Sequence, residues 1–389
     1  MMLVTPLMAF LVFAFILPIF DMLYRSVENQ IVAEVLPKTV VAIANWDETG
    51  DRLPSDAVFQ AAVEDIGVAF KAKTLGRVGR RLNYEKPGMA SLLRKSGRRS
   101  LKITKPPYAD QMIQKIDKKW GDINTWRLIK REAGTLTSSY FLASIDMRLD
   151  DLGIVTWQPE NRQVYLQLFW KTLWMSGLIT LLCVLLGYPT AYLLATLPLR
   201  TSNLLMILVL LPFWTSLLVR TTAWIALLQT EGVLNDLLVA IGILSDDNRL
   251  QMIHNKIGTF VAMTHILLPF MILPLYSVMK TISPSYIRAA RSLGATPFTA
   301  FVRVYMPNTV AGVGAGCILV FILSIGYYIT PALVGGRTGT FISNFIASHI
   351  SNTLNWGLGA ALGVLLLGLV LALYMLYDKI VGIDKMKLG

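Results

Sequence analysis

Long apolar runs separated by polar connections fill the second half of the chain, and one more run stands at its start. About twenty apolar residues are enough to cross the hydrocarbon core of a bilayer as a helix. The pattern therefore predicts an all-α, polytopic membrane protein with six transmembrane helices, the longer ones tilted. The six runs are 2–22, 170–196, 204–228, 258–279, 308–331 and 355–377.

The first run has two interpretations, a retained span or a cleaved signal peptide. A signal peptide needs a basic segment before the apolar run and small residues at the cleavage site. The first basic residue here is Arg25, and the segment 17–20 (LPIF) does not fit a cleavage site. We therefore favour a retained span. The run begins almost at Met1 without a preceding polar segment, which suits a chain whose natural form starts further upstream.

The polar stretch between the first two runs divides the chain into a first helix at 1–24, an insert at 25–165 and a membrane core at 166–389. Apolar residues of the insert recur at helical spacing, which predicts small amphipathic helices. Its stretch 71–105 is rich in Lys, Arg and Gly. We expect a compact helical cap with a loose basic segment. The residues at helical spacing are Phe59, Val63, Ile66 and Phe70, and then Met112, Ile116 and Trp120.

The composition agrees with a membrane protein, since 54% of the residues are hydrophobic and the mean hydropathy is +0.55. Both cysteines, Cys183 and Cys317, fall inside apolar runs, so we expect no disulfide. The three histidines lack the spacing of metal ligands, which predicts no metal site and no cofactor in this chain. The net charge is +12, but the sequence contains no recognisable nucleic-acid-binding motif. We therefore expect no nucleic-acid partner.

The charge of the short connections predicts the orientation in the membrane. Connection 280–307 carries four basic residues and no acid, whereas 229–257 carries more acids than bases. Basic short loops stay in the cytoplasm, and long loops cross the membrane largely regardless of charge. We therefore expect both termini and 280–307 on the cytoplasmic side. The insert 25–165 then lies outside.

The cytoplasmic connection contains a predicted helix–turn–helix at 283–307. Pro284 suits the first turn of a helix, because its missing N–H needs no partner there. Gly294 suits the residue after the helix end, since glycine adopts the left-handed conformation without penalty. Pro297 then opens a second short helix. On these grounds alone the segment is equally an ordinary amphipathic loop at the membrane surface.

The spacing within this loop resembles the EAA loop of ABC-importer permeases. In that family the short helix is a coupling helix that docks into a groove on a separate ATPase subunit. The family usually has Glu where this chain has Arg288, so an ion pair made by that acid is absent or reversed here. The resemblance implies ATPase-coupling roles for Arg288, Ala289, Ala290, Gly294, Val304, Met306 and Pro307.

Other segments resemble the spermidine/putrescine branch of the same family. The segment 185–192 looks like the start of the shared membrane core, and 212–216, 267–276 and 327–336 look like the polyamine branch. The resemblance implies a type I ABC-importer permease fold in the bacterial inner membrane. The substrate would be a polyamine or a related small amine or amino-acid-like solute.

The resemblance also implies partners. These are nucleotide-binding ATPase subunits, a second homologous permease subunit forming a heterodimer or a homodimer, an extracytoplasmic substrate-binding protein and membrane lipids. No G-x-x-x-x-G-K-[ST] segment occurs in the sequence, so this chain offers no loop to hold ATP phosphates. We therefore expect ATP and Mg²⁺ on the partner subunit and no enzymatic activity in this chain.

Polar and aromatic residues inside the runs are candidates for the translocation pathway, since such residues usually face the bundle interior. Arg220 is equally placed to snorkel to the interface. His265 is also consistent with a hydrogen-bonded interior residue, and the tyrosines with an interfacial belt. Aromatic faces could hold ammonium groups. The candidates are Trp214, Thr215, Arg220, Trp224, His265, Tyr327 and Tyr328.

Two other functions compete with an ABC permease. A stand-alone secondary transporter of small organic cations would need coupling-ion sites at the midplane, where the runs offer no acid. A structural or receptor membrane protein would leave the spacing of 287–307 unexplained. For the insert, a stabilising cap, a docking surface for the binding protein and a site for anionic lipid or nucleic acid all stay open.

Overall fold

The computed structural model describes residues 4–381, without the side chains of residues 380 and 381. The chain forms two compact units. The first comprises Met1–Leu166 and Leu354–Val364, and the second comprises Gln167–Thr353 and Leu365–Gly389. Helices dominate both, which confirms the all-α class.

The first unit begins with the apolar helix Thr5–Arg25, in which no residue is buried. The insert then folds around its own hydrophobic core, with short amphipathic helices turning one face inward. The α-helices of the insert are Ile31–Val35, Pro37–Ile43, Asp56–Lys71, Leu75–Glu85, Met89–Ser100, Tyr108–Gln111, Ile123–Arg131 and Ser139–Ser144. Shorter turns of other helix types are Met112–Ile116, Lys118–Gly121 and Glu160–Arg162.

Aromatic residues form the centre of that core. Phe59, Trp120 and Trp126 are at most 1% exposed, and the Trp126 ring contacts both of the others. The Trp120 indole N–H donates to Ser96 Oγ over 3.0 Å, so the polar tip of the ring is also satisfied inside the core. The helical spacing seen in the sequence therefore marks this core, except at the half-exposed Phe70.

The expectation of a loose basic segment at 71–105 was wrong. This stretch contains the two packed helices Leu75–Glu85 and Met89–Ser100. Val78, Leu82 and Leu93 are 0% exposed, because apolar residues recur every three or four positions between the basic ones. Most of the long basic side chains extend from the opposite, exposed face of each helix. Their number is the reason why composition alone suggested a polar loop.

A buried ionic cluster lies next to the core. The Arg81 guanidinium, 2% exposed, donates to Asn29 Oδ1 and to Glu85 Oε1, each over 2.8 Å, and also to the Glu132 carboxylate. It lies 4.7 Å from the centre of the Tyr140 ring. Burial raises the pKa of Glu132, although Arg81 acts against that shift. The cluster links segments more than fifty residues apart in the sequence.

The start of the insert pairs with a segment in its last third. The backbone N–H of Asn29 donates to Thr135 O over 2.9 Å, and that of Thr137 donates to Val27 O over 2.8 Å. Between them, Glu28 and Leu136 form an antiparallel bridge. We call this pairing of residues 27–29 with 135–137 the stem.

A small hairpin leads from the insert into the next apolar helix. Its strands Met147–Leu149 and Val155–Trp157 pair antiparallel. The Asp146 carboxylate accepts the backbone N–H groups of residues 164, 165 and 166 over 2.8 to 2.9 Å. N–H groups at the start of a helix have no partner within the helix itself. Asp146, which is distant in the sequence, therefore caps the helix Tyr165–Thr196.

The second unit consists of helices. Among residues 4–381, four helices are long and apolar enough to cross a membrane, namely Thr5–Arg25, Tyr165–Thr196, Lys256–Thr281 and the helix that starts at Trp356. Two bent helix pairs bring the number to six if each pair crosses as one span. The other α-helices of the second unit are Leu199–Leu210, Leu217–Leu228, Val233–Ala240, Pro284–Ser292, Pro297–Ala300, Met306–Asn308, Val310–Gly326, Ile329–Val334, Gly336–Gly339 and Ile342–Ser351. The last helix of the chain is Trp356–Val381, and the remaining short turns are Leu211–Trp214, Asp246–Asn248 and Phe301–Tyr305.

The predicted span 204–228 is not one continuous helix. The chain bends by 97° between Leu199–Trp214 and Leu217–Ala240. Pro212 removes a backbone donor near the end of the first piece, and the Ser216 hydroxyl accepts the Val219 N–H over 3.2 Å to start the second. The run 308–331 is likewise interrupted, since Val310–Gly326 ends before Tyr327.

Close helix packing in the second unit depends on glycine. Helix Lys256–Thr281 packs along Val310–Gly326, where a Cβ added to Gly312 would lie 3.2 Å from the Leu275 Cα. Small residues of this kind let two backbones approach closely inside a membrane.

Candidate functional site

The loop at 283–307 forms the predicted helix–turn–helix. The Ser283 hydroxyl accepts the Ser285 N–H over 3.3 Å at the start of helix Pro284–Ser292. Gly294 has a φ of +87° at the other end. The Gly294 N–H donates to Arg291 O and the Ala295 N–H to Ala290 O, which is the Schellman pattern of a helix end. The local sequence therefore fixes both ends of this helix.

This helix has no buried residue, although it carries apolar side chains. Leu293 is 89% exposed, and Phe298 in the following turn is 77% exposed. Arg288 and Ala289 are exposed and Ala290 is half-buried. Exposed apolar side chains that gather in one loop are typical of surfaces that bind another protein or a membrane. We call helix Pro284–Ser292, together with Leu293, Gly294 and Phe298, the presented half of the loop.

The other half of the loop is anchored by aromatic rings. Tyr192, on the helix Tyr165–Thr196, lies 5.2 Å from the Phe301 ring and 5.2 Å from the Tyr305 ring, edge to face in both cases. The Tyr188 and Thr309 hydroxyls are 3.1 Å apart. Sequence reasoning did not name Phe301 and Tyr305, although their spacing of four residues within an otherwise basic loop was a usable signal.

The residues predicted for ATPase coupling thus divide between the two halves. The presented half holds Arg288, Ala289, Ala290 and Gly294. The anchored half holds Val304, which is half-buried, and Met306 and Pro307, which are exposed. Their roles toward an ATPase stay predictions.

Several predicted pathway residues meet in the second unit. The Trp224 indole N–H donates to His265 Nδ1 over 3.1 Å, and the two ring centres are 5.3 Å apart. Arg220 precedes Trp224 by one helical turn, and its charge acts on both His265 and Tyr327. The structure therefore groups Arg220, Trp224, His265 and Tyr327, which lie up to 107 residues apart in the sequence.

The Trp224–His265 bond fixes the state of the imidazole. An indole N–H can only donate, so Nδ1 must be an acceptor and the ring is neutral with its proton on Nε2. A cavity of about 380 Å³ adjoins this pair and is almost entirely apolar. A neutral ring beside an apolar cavity suits transient contact with a solute better than tight binding by charge. The cavity is lined by Leu182, Leu186, Trp224, Phe260, Val261, Thr264, His265 and Leu268.

Arg220 is the unusual member of this group. Its Nε is buried, and among the residues that the structure describes it has no hydrogen-bond partner. A buried guanidinium atom without a partner is costly, so one expects a ligand, a water or a conformational change to satisfy it. Thr221 follows Arg220 in the sequence, and its hydroxyl lies 3.2 Å from that of Thr330. This pair of hydroxyls was not predicted.

The other candidates lie apart from this group. Trp214 is 76% exposed and Thr215 is exposed, both at the bend between the two helix pieces. Tyr328 is 46% exposed, and its backbone carbonyl accepts the Asn344 side-chain N–H over 2.7 Å. The structure therefore assembles four of the seven predicted residues and leaves three outside.

Comparison with known proteins identifies the family. Residues 183–381 match the family described as binding-protein-dependent transport system inner membrane component. The spermidine/putrescine transport system permease protein PotB of Haemophilus influenzae is 37% identical over 216 residues, which cover 56% of this chain and 75% of that protein.

The chain is also similar to further relatives and to a solved structure. PotB of Escherichia coli K12 is 35% identical over 214 residues, covering 54% of this chain and 77% of that protein. The inner membrane ABC transporter permease protein YdcU of the same organism is 31% identical over 260 residues, covering 64% and 81%. Among solved structures, a bacterial ABC transporter that imports alginate has a TM-score of 0.48 at 19% identity, covering 59% and 82%.

Proposed function

Because this chain belongs to the family of binding-protein-dependent transport system inner membrane components, we propose that it moves a polyamine of the spermidine or putrescine type into the bacterial cytoplasm. It acts as a transmembrane subunit of an ATP-driven importer. The observation that carries the substrate class is the 37% identity to a PotB permease over 216 residues. A related small amine or amino-acid-like solute is the nearest alternative.

The presented half of the cytoplasmic loop docks onto the ATPase subunit. Leu293 and Phe298 supply exposed apolar area, and the small side chains of Ala289 and Ala290 let a partner backbone approach. The aromatic anchor at Tyr192 holds the other half against the membrane helix. A movement of the ATPase surface would therefore pass to helix Tyr165–Thr196 rather than being absorbed by a slack loop.

The group around Arg220, Trp224 and His265 lines part of the solute path. It offers ring faces to ammonium groups but no carboxylate, so the solute is held weakly. Recognition then belongs to an extracytoplasmic binding protein that meets the outer face, and ATP and Mg²⁺ are bound by the ATPase subunits. A second homologous permease subunit completes the path. Both termini lie in the cytoplasm and the insert lies outside.

Gly294 offers the sharpest test of the loop. A Cβ at this glycine would have nothing within 4 Å, so Gly294→Ala and Gly294→Trp strain the backbone similarly. Only the Trp side chain reaches a docked partner. We expect Gly294→Ala to lower uptake several-fold, because the left-handed conformation costs a residue with a Cβ about 1 kcal/mol. Gly294→Trp should abolish uptake and co-purification of the ATPase at normal membrane abundance.

Gly242 provides a matched control, because it too has a positive φ, +76°, and nothing within 4 Å of an added Cβ. Gly242→Trp should leave ATPase co-purification unchanged. Uptake of labelled spermidine and putrescine, with ATPase pull-down from the same membranes, measures both outcomes. Normal uptake by Gly294→Trp would remove the loop from this role. Nucleotide-independent uptake by the purified chain would favour a secondary transporter of small organic cations.

A further inference from the structure

A charged cavity of about 350 Å³ lies in the first unit. It is located where two apolar helices end: Arg25 is the last residue of Thr5–Arg25, and Trp356 is the first of Trp356–Val381. The remaining walls come from the start of the insert, from helix Leu75–Glu85, from Tyr140 and from the residues next to Trp356. The cavity is therefore at the level where apolar helices give way to a polar domain.

Most charged groups in its walls already have partners. Arg77 pairs with Glu34 over 3.2 Å, and Arg81 belongs to the buried ionic cluster. Arg25 pairs with Asp21 over 2.7 Å and lies 5.7 Å from the centre of the Trp356 ring.

Two charged groups are left over. Within residues 4–381, the exposed Arg80 guanidinium makes no hydrogen bond or ion pair, and the half-buried Glu28 carboxylate makes none either, although its charge acts on Arg25. One free cation and one free anion thus face the same small cavity. Such an arrangement suits a ligand that carries one group of each sign.

The charges that remain for a ligand have both signs. Four arginines and two glutamates line the cavity, but Arg25 and Arg81 are already paired with acids outside its walls, and Arg77 is paired with a wall glutamate. The groups left for a ligand are therefore one cation, Arg80, and one anion, Glu28. A ligand with one phosphate and one ammonium matches both, whereas a polyamine has no group for Arg80.

The surface next to the cavity identifies the source of that ligand. Phe20, Leu23 and Tyr24 on the last turns of the first helix are 62%, 37% and 48% exposed. Trp356 is 49% exposed, and exposed Trp and Tyr at the ends of apolar helices mark the membrane interface. A molecule whose head enters the cavity can therefore lay acyl chains along the first helix.

We propose that this cavity binds the zwitterionic headgroup of a phosphoethanolamine phospholipid. The phosphate accepts hydrogen bonds from Arg80, and the primary ammonium donates to the Glu28 carboxylate. The acyl chains cover the first helix, in which the structure buries none of the residues Thr5–Arg25. The bound lipid thus ties the start of the insert to the membrane surface.

The test uses native mass spectrometry of the full chain with its partner subunits, after removal of lipid. Phosphatidylethanolamine, phosphatidylglycerol, soluble phosphoethanolamine and spermidine are titrated separately. Arg80→Gln should weaken phosphatidylethanolamine binding about tenfold or more, as expected for the loss of a charge-assisted hydrogen bond. Glu28→Gln should weaken phosphatidylethanolamine but not phosphatidylglycerol. Arg80→Lys should retain much of the binding because it keeps the charge.

Arg98→Gln and Glu160→Gln are the matched controls, since both residues are exposed and lie outside the cavity. They should bind lipid like the parent. Because Arg80 has no partner to lose, its variants should melt at the parental temperature. Soluble phosphoethanolamine binding as tightly as the lipid would overturn the proposal. An equal loss of lipid binding in the two control variants would also overturn it. So would unchanged phosphatidylethanolamine binding by Glu28→Gln, or displacement of the lipid by spermidine.

Discussion

The insert and the bent helix pair at 199–240 use similar apolar residues in opposite ways. In the insert, Phe59 and Trp126 are fully buried in a core made by the insert itself. In the helix pair, Leu204 is 62% exposed and Trp214 76%, and helix Leu199–Leu210 buries only Ser202. The insert satisfies its own hydrophobic surface. The helix pair leaves its apolar surface uncovered within the described residues, so lipid or another protein must cover it.

The largest test of this contrast exchanges one tryptophan in each region for alanine. Trp126→Ala should destabilise the insert by about 3–5 kcal/mol, because it leaves a large cavity in a closed core. Trp214→Ala should change stability by less than about 0.5 kcal/mol, as at an exposed position. Thermal unfolding and limited proteolysis of the insert measure both. Comparable losses in the two variants would contradict the contrast.

A second test compares the buried ionic cluster with an ion pair at the surface of the same insert. Glu132→Gln should cost about 3 kcal/mol, because it leaves the buried Arg81 charge without full compensation. The pair Lys95–Asp117, 2.7 Å apart, is more exposed, so Asp117→Asn should cost less than about 1 kcal/mol. Both changes conserve shape. If the surface change is the more damaging, the cluster does not hold the insert together.

A smaller effect is expected at the pathway group. Trp224→Phe keeps an aromatic ring but removes the hydrogen-bond donor to His265. The free energy of unfolding should fall by about 1 kcal/mol. It should also release the imidazole tautomer, visible as a changed histidine signal in nuclear magnetic resonance. Trp170→Phe is the control, since Trp170 is 71% exposed on a membrane helix. An unchanged His265 signal in Trp224→Phe would show that Trp224 does not set the tautomer of His265.

The smallest expected effect is the loss of stability of the insert at low pH. Lys95 and Lys130 lower the pKa values of Asp117 and Glu48 in the insert. A lowered carboxyl pKa gives stability that is present above the ordinary values of 3.8 and 4.5 and is lost as pH falls through the folded value. The insert should therefore melt earlier as pH drops below about 4.5.

Glu132 opposes that trend, because burial raises its pKa and its contribution falls as pH rises through the raised value. The net acid effect should thus be a shift of a few degrees. Asp117→Asn should reduce it further, as followed by melting curves between pH 3 and 7. A melting temperature that rises on acidification would contradict the sign.

Features that depend on neighbours in the sequence were predictable. Apolar run length indicated the helices, and proline and glycine positions indicated the cytoplasmic loop, both ends of which lie where expected. The family was recognised from the spacing of Ala289, Ala290 and Gly294, and the comparisons confirm it. The polyamine branch was suggested by short segments around 212–216 and 327–336.

Features that depend on distant pairing were not predictable. The cap that Asp146 makes on a helix eighteen to twenty residues later has no local signature. The bond from Trp224 to His265 joins residues 41 apart. The basic helices were misjudged for a related reason: their apolar residues mean little until a core exists to receive them. The bend after Trp214 was hidden by an apolar run that continues across it.

The stem has a consequence for how such a chain could have arisen. Because residues 27–29 pair directly with 135–137, the chain enters and leaves the part of the insert between them at neighbouring points. An antiparallel pair of this kind can be closed by a turn of two to five residues. The intervening hundred or so residues could thus be gained or removed in a single genetic event without displacing the flanking backbone. The stem therefore makes the residues between its two segments a structurally separable module of the chain.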